Sequence, residues 1–422
     1  MRSSVADVDI FTERIAAWVG AALDEQRPPT FGALLRALPG ADPGLVVDCL
    51  EVITSQAGAS LSTRARAQSL LVQARTPAPR RRPTSHPIPH PLDCYWPNDA
   101  LTLRALTRTL GQLTPANETI IYLAWPNAFG HARSRLTDRK HLLVEHDRTR
   151  AGVYCSPGAR HEVLAIDVLR DELPIERAQT IIADPPWYPD ELMAFLWAAA
   201  RLAKPGARIL LAFPPIGTRP GVESERRRVL DWAARCGLRP RDFRPGVLGY
   251  LTPPFERAAL AARGLPGTPD GWRRGDLLIF EAVPTLLPSR PKVAREIWHN
   301  AHLDDVPMRV RIDDGTASVD VFCIHNLLES IIDGDVLPTV SRQAALRSRT
   351  RLWTSRNRVF SSSHPRLLAA VLDATAGGQS VERVATDQLD RRLDSHELEA
   401  VKTVSLRLRA LAEQELREHG LR

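Results

Sequence analysis

Hydrophobic and polar positions along this chain follow two different periods. In the first 75 residues Phe11, Ile15, Val19 and Leu23 step by four, which predicts an amphipathic helix. Thr30 is a candidate N-cap for a second helix carrying Leu34, Leu35 and Leu38. Asp42-Pro43 announces a third, an N-cap followed by proline at the first helical position, with Leu45, Val46, Cys49, Leu50 and Ile53 behind it. Three short helices make a small helical domain over 1–75, which fits a helix-turn-helix or winged-helix module and fits a plain interaction module equally well.

From 76 to 93 the chain reads "TPAPRRRPTSHPIPHPLD", a proline-rich and basic stretch expected to form an extended linker. His86 and His90 lie in it without a third ligand, so solvated side chains are expected rather than a metal site. Between 94 and 285 the period changes. Short apolar, β-branched runs, "ETIIYLAW", "KHLLVEHD", "HEVLAIDV", "QTIIADPP" and "ARILLAFPP", alternate with helical stretches. Such alternation predicts an α/β domain with a mainly parallel sheet covered on both faces. "YLTPPFERAAL" and "GWRRGDLLIF" are expected to supply its last two strands.

The remainder, 286–422, has two strand candidates, "MRVRID" and "SVDVFCI", followed by helices, an α+β region. Its last helix, about 395–419, carries Leu398, Val401, Leu408 and Leu411 on one stripe. That stripe suits its own core or a partner helix in a homo- or hetero-oligomer.

Composition narrows the class. A chain of 422 residues with 44% hydrophobic residues can bury large cores in two or three domains. No apolar run approaches the 18 residues of a membrane span, and acids interrupt the N-terminal stretch "MRSSVADVDIFTERI", so a cytoplasmic protein with no membrane partner is expected. Cys49, Cys94, Cys155, Cys236 and Cys323 are scattered singly, which argues against a disulfide framework or a zinc ribbon.

The net charge of +7 suits a polyanionic partner, although arginine accounts for nearly all of the basic residues. Six arginines lie between 342 and 358, including Arg349 and Arg351, with Trp353 among them and no acid. That pattern suits phosphate neutralisation with base stacking, and it suits a solvated loop equally.

The most informative stretch is "TIIADPPWYPDELMAFLW". Prolines 185 and 186 have no N–H for a sheet, so the strand must stop there and present Asp184 and Trp187 at its C-terminal end, where open α/β sheets bind ligands. The helix that follows closes on "LAKPGARILL".

Acid-ended second and third strands, "DPPW" after the fourth, then a helix and "LAKPGARILL" resemble a class I S-adenosylmethionine-dependent methyltransferase. "DPPW" resembles in particular the motif of nucleic-acid adenine N6-methyltransferases. The resemblance covers the middle two fifths of the chain. It implies a Rossmann-like methyltransferase core, flanked by the helical N-terminal domain and the α+β C-terminal region. It implies S-adenosylmethionine as cofactor, no metal, and a nucleic-acid partner.

An exocyclic amine is a poor nucleophile because its lone pair is delocalised into the ring, so it must be held by its hydrogens and aimed. Asp184 and the carbonyl of Pro185 would accept those hydrogens, Pro186 would stiffen the turn, and Trp187 would stack on a flipped base. Tyr188 and Arg219 are neighbouring candidates for substrate contact. On the cofactor side the resemblance points to Ala124, Asn127 and Gly130 in the loop after the first strand. It points also to Glu145 or Asp147 at the ribose, and to Asp167 at the adenine amine; each of these acids could instead cap the helix after it.

That first loop, "AWPNAFG", is poor in glycine and lacks an acid. It therefore leaves open a methyltransferase-like binding or regulatory protein. A weaker resemblance is to the branched-chain polyamine synthases, which have a helical N-terminal domain and a "DPPY"-like motif and transfer an aminopropyl group. Those enzymes need clustered acids for a polycation, and "AWPNAFG" supplies none.

Overall fold

The computed structural model describes residues 5–77, 87–155, 161–294, 296–312 and 326–421. Cys323, His86 and the whole of the "SVDVFCI" strand candidate (318–324) lie outside the described residues. The chain divides into two compact units. The first comprises Met1–Pro77, Trp96–Thr252 and Gly267–Val293; the second comprises Ala78–Tyr95, Pro253–Pro266 and Ala294–Arg422.

The first unit begins with four helices, α1 (Val5–Ala21), α2 (Phe31–Ala37), α3 (Pro43–Ser55) and α4 (Leu61–Arg75). Local chemistry sets their starts: the Thr30 side chain accepts from the Ala33 N–H, and the Asp42 carboxylate accepts from the Gly44 and Leu45 N–H groups with Pro43 at the first position. Phe11, Ile15, Val19 and Leu23 are all buried, as their spacing requires.

After α5 (Ala100–Leu113) the strands and helices alternate in the order β1 (Thr119–Leu123), α6 (Pro126–Arg133), β2 (Lys140–Val144), α7 (Arg148–Tyr154), β3 (His161–Leu164), β4 (Ala178–Ala183), α8 (Pro189–Leu202), β5 (Ala203–Phe213), α9 (Val222–Arg235), β6 (Leu238–Gly249) and β7 (Arg274–Ala282). They form one seven-stranded sheet in the order β3-β2-β1-β4-β5-β7-β6. The strands β3, β2, β1, β4 and β5 pair in parallel, and β7 runs antiparallel to both its neighbours. This is a Rossmann-like α/β core with a mainly parallel sheet.

The period-2 pattern divides its two faces. Ile121, Leu123, Ile181, Ala183, Ile209 and Leu211 pack with Leu192, Phe195 and Leu196 of α8. Their alternates Ile120, Tyr122, Ile182, Leu210 and Ala212 pack with Leu106 and Leu110 of α5 and Phe129 of α6. A sheet buried on both faces reads as continuous apolar runs for this reason.

Two strand expectations are corrected. "YLTPPFERAAL" is not a strand: from Pro254 to Ala262 it is helix α10, which belongs to the second unit. The strand paired with β7 lies upstream at Leu238–Gly249, where prolines 240 and 245 and several arginines argue against a central strand. It tolerates them because it pairs on one side only, at the sheet edge. The run "HEVLAIDV" ends as a strand at Leu164, so Asp167 lies in a turn beyond it.

The second unit holds a five-stranded antiparallel sheet, order β10-β12-β11-β9-β8. Its strands are β8 (Trp298–Leu303), β9 (Val306–Arg311), β10 (Glu329–Ser330), β11 (Leu352–Thr354) and β12 (Val359–Ser361). Helices α11 (Pro365–Ala376), α12 (Val381–Leu389) and α13 (Ser395–His419) follow. Val401, Leu408 and Leu411 of α13 are buried in this unit's own core, together with Val310, Phe360 and Leu372. The stripe expected to serve either this core or a partner helix is therefore used internally.

His90 differs from expectation too. It is fully buried, its Nε2 lies 3.0 Å from the Trp353 carbonyl, and its Nδ1 accepts from the Leu92 N–H. Burial, reinforced by the Arg309 charge, pushes its pKa down to about 3, so it serves as a neutral structural group. No helix among the described residues is long and apolar enough to cross a membrane.

Candidate active site

In the sheet order, β1 is the point where the connection reverses: β2 and β3 lie on one side of it, β4 and β5 on the other. Crevices at such a switch point, outside the carboxyl ends of the strands, are where doubly wound sheets bind ligands. Residues Leu123 and Ala183 are paired across β1 and β4, and the Asp184 N–H donates to the Leu123 carbonyl at 3.3 Å. Asp184 therefore sits directly at the switch point, beside Ala124.

Asp184 is half-buried. The Tyr250 hydroxyl, at the end of β6, donates to its Oδ1 at 3.0 Å. Burial pushes the carboxyl up from 3.8 to about 7, against the opposing pull of the Tyr250 hydrogen bond and the Arg273 charge. A carboxyl poised near neutrality can exchange a proton with an amine at physiological pH. The carbonyl of Pro185 accepts no hydrogen bond among the described residues, as proline's place in the turn leads one to expect.

Trp187 lies differently from its expected place as a free stacking surface. It is 6% exposed, lies over Gly275, where a Cβ would come within 2.7 Å of its ring, and meets Tyr250 edge-on at 5.7 Å. The Arg273 guanidinium covers it at 4.5 Å and the Trp96 ring at 4.3 Å. The tryptophan of the motif thus builds the wall that positions Arg273. Arg219 is also taken up internally: it donates to the Trp187 carbonyl at 2.5 Å, pairs with Glu225 at 2.5 Å, and lies over the Tyr188 ring at 5.2 Å. Together they brace the turn that carries Asp184.

The cofactor candidates separate into two groups. Ala124 takes a left-handed backbone, φ 50°, a conformation that costs a non-glycine residue about 1 kcal/mol or more and clusters at ligand sites. Asn127, in the first turn of α6, buries both atoms of its carboxamide without a partner among the described residues. Such an orphan is costly unless a ligand completes it. Trp125 is turned into the core: its indole N–H donates to Asn98 at 2.6 Å and its ring packs with Leu106, Leu110 and Tyr122.

Glu145, at the end of β2, is buried and bonded to His146 at 3.1 Å and to the Asp147 N–H at 3.0 Å. Burial pushes its carboxyl up, but the His146 hydrogen bond and the Arg150 charge outweigh this and hold it below the usual range. Asp147 caps α7 through the Thr149 and Arg150 N–H groups and pairs with the Arg150 side chain, the capping alternative that its position offered. Gly130 faces the Tyr154 ring, where a Cβ would come within 2.6 Å, so its bareness serves helix packing. Asp167 accepts from the Leu169 N–H at 2.9 Å in the turn after β3.

The arginine-rich stretch belongs to the second unit, and three of its arginines are paired with acids. Trp353 is wholly buried, with its N–H bonded to Asn357 at 2.8 Å. Arg347 pairs with Glu296, Arg356 with Glu418, and Arg358 with both Glu415 and Glu418. The acids missing from the local sequence come from far along the chain. Arg349 is exposed and Arg351 half-buried.

Asn98, Tyr250, Arg273 and Trp96 lie beside the Asp184 turn or the loop after β1 without a motif of their own. Arg273 alone left a trace, in the cluster "GWRRG".

No protein-family model and no curated protein matches this chain. Among solved structures, it is similar to the branched-chain polyamine synthase from Thermus thermophilus in complex with N4-aminopropylspermidine and 5′-methylthioadenosine, with a TM-score of 0.47 and 15% identity over 68% of this chain and 96% of that one. It is similar to TrmN from Thermus thermophilus, with a TM-score of 0.29 and 18% identity over 43% of this chain and 48% of that one. It is also similar to the N-methyltransferase NodS from Bradyrhizobium japonicum WM9, with a TM-score of 0.31 and 12% identity over 44% of this chain and 99% of that one.

Proposed function

We propose that this protein transfers a methyl group from S-adenosylmethionine to an exocyclic amine held at Asp184, with adenine N6 in nucleic acid as the acceptor. The observation that carries the reading is Asp184 itself: a half-buried carboxyl at the sheet's switch point, with a pKa of about 7, hydrogen-bonded by Tyr250 and followed by an unpaired carbonyl at Pro185.

Asn127, with its unpaired carboxamide, the turn at Ala124, and Glu145 at the neighbouring strand end fit a nucleoside-bearing cofactor. When bound, S-adenosylmethionine supplies a methyl carbon made electrophilic by its sulfonium. Ionised Asp184 accepts one N–H of the amine and the Pro185 carbonyl accepts the other, which turns the nitrogen lone pair to one face. As the nitrogen gains positive charge it loses a proton, and the Asp184 carboxylate is placed to take it. Arg219 and Trp187 hold the turn in register.

Aminopropyl transfer to a polyamine is less well supported, because the Arg273 guanidinium, whose charge acts on Asp184, would repel a polycation. The test is isothermal titration with S-adenosylmethionine and its demethylated product, followed by methyl transfer to adenine-containing oligonucleotides. Binding is expected, with transfer abolished in Asp184→Ala. Absence of binding of either compound at millimolar concentration refutes the reading.

A further inference from the structure

Arg273 is held in an unusual way. Its guanidinium lies between the Trp96 and Trp187 rings, 4.3 and 4.5 Å from their centres. Its main chain is fixed by the Tyr250 N–H, which donates to the Arg273 carbonyl at 3.1 Å. Among the described residues its side chain makes no hydrogen bond and no ion pair. It is half-buried, and none of its nitrogens is sealed from solvent as an orphaned buried atom. By contrast, nearby Arg219, Arg226 and Arg274 all spend theirs on the protein: Arg219 on Glu225 and the Trp187 carbonyl, Arg226 on Asp276, Arg274 on the Gly246 carbonyl.

Stacking immobilises a guanidinium by its faces and leaves its edge of N–H donors free. A planar fork fixed in this way suits two-point recognition of an oxyanion, and its ordering entropy is already met before the ligand arrives. The charge is close enough to Asp184 to act on its ionisation. Asp184 is bonded by Tyr250, whose ring meets Trp187, and Trp187 carries Arg273, so an amine at Asp184 and an anion at Arg273 occupy adjoining places.

We propose that Arg273, stacked between Trp96 and Trp187, is the specificity-determining anchor for a phosphate group of the amine acceptor. This rests on the reading of Asp184 as the acceptor site and adds that the acceptor is a phosphorylated nucleoside unit. Asp184 takes the amine end and Arg273 the phosphate end, so an uncharged nucleoside engages only the first.

The probes are adenosine 5′-monophosphate, adenosine and inorganic phosphate, titrated against the full chain by calorimetry without cofactor. Wild type is expected to bind the monophosphate roughly 10- to 100-fold more tightly than adenosine, the range for hydrogen bonds to a charged group. Inorganic phosphate is expected to compete weakly. Arg273→Gln is expected to lose the preference while keeping the adenosine affinity, and Arg273→Lys to keep only part of it, because an ammonium lacks the fork. Circular dichroism and thermal melting establish that both variants are folded; if Arg273→Gln does not fold, Arg273→Lys alone carries the comparison.

Wild type failing to distinguish monophosphate from adenosine, whether both bind or neither does, overturns the proposal. A preference that survives in the variants, or inorganic phosphate binding as tightly as the monophosphate, overturns it as well. None of these measurements requires methyl transfer, so failure of the anchor and failure of the catalytic reading are distinguishable.

Discussion

Replacing Asp184 by asparagine tests the electrostatics of the site through stability alone. Burial raises the carboxyl from 3.8 to about 7 in the folded protein, so between those values the folded state holds a proton that the unfolded state has lost. For a group with a raised folded pKa, its contribution to stability is fully present below the unfolded value and is lost as pH rises through the folded one.

The rise from 3.8 to about 7, at about 1.36 kcal/mol for each tenfold change in acidity, sets an upper figure of about 4 kcal/mol. Asp184 is half-buried, so water screens part of this, and roughly 1–4 kcal/mol is expected. Asparagine has nearly the same shape, never ionises, and can still accept the Tyr250 hydroxyl.

Urea denaturation of both proteins at a series of pH values, followed by tryptophan fluorescence, supplies the assay. Titration of every other group cancels in the difference. Asp184→Asn is expected to match wild type near pH 4 and to become progressively more stable up to about pH 8, while losing transfer activity. A difference that stays flat across this interval refutes the raised carboxyl and, with it, the argument for Asp184 as the proton acceptor.

Two further outcomes follow from neighbouring contacts. Tyr250→Phe removes the hydrogen bond that favours ionised Asp184 and is expected to raise its pKa by roughly one unit, for a bond worth about 1.5 kcal/mol or more. The carboxyl band in pH-dependent infrared difference spectra measures this, with Asp184→Asn as the blank. Glu415→Ala is expected to destabilise the second unit by roughly 3–5 kcal/mol, because buried Glu415 holds Arg358 at 3.1 Å, the Arg356 N–H, and the Thr354 and Ser355 hydroxyls. Thermal melting reads this loss.

Much of the fold was legible because neighbouring residues decide it. The helix starts at Thr30 and Asp42 are local hydrogen bonds, and the stop of β4 at Asp184 follows from two missing proline N–H groups. Where a run depends on its neighbours, legibility fails. The charged, proline-bearing stretch 238–249 becomes a strand only because β7 offers an edge, and "YLTPPFERAAL" is apolar enough to mislead although its prolines start a helix.

The sequence by itself determined an α/β core and the place of its acid, since apolar period, turn chemistry and proline act over a few residues. Only the tertiary structure decided what those residues do. It gave Asp147 to a helix cap, buried Trp353, and neutralised the arginines at 347, 356 and 358 with acids at 296, 415 and 418. It also brought Tyr250, Arg273 and Trp96 to the DPPW turn from distant segments. Pairing and burial depend on distance in space, and a linear order of residues carries no such distance until the sheet has closed over its two faces.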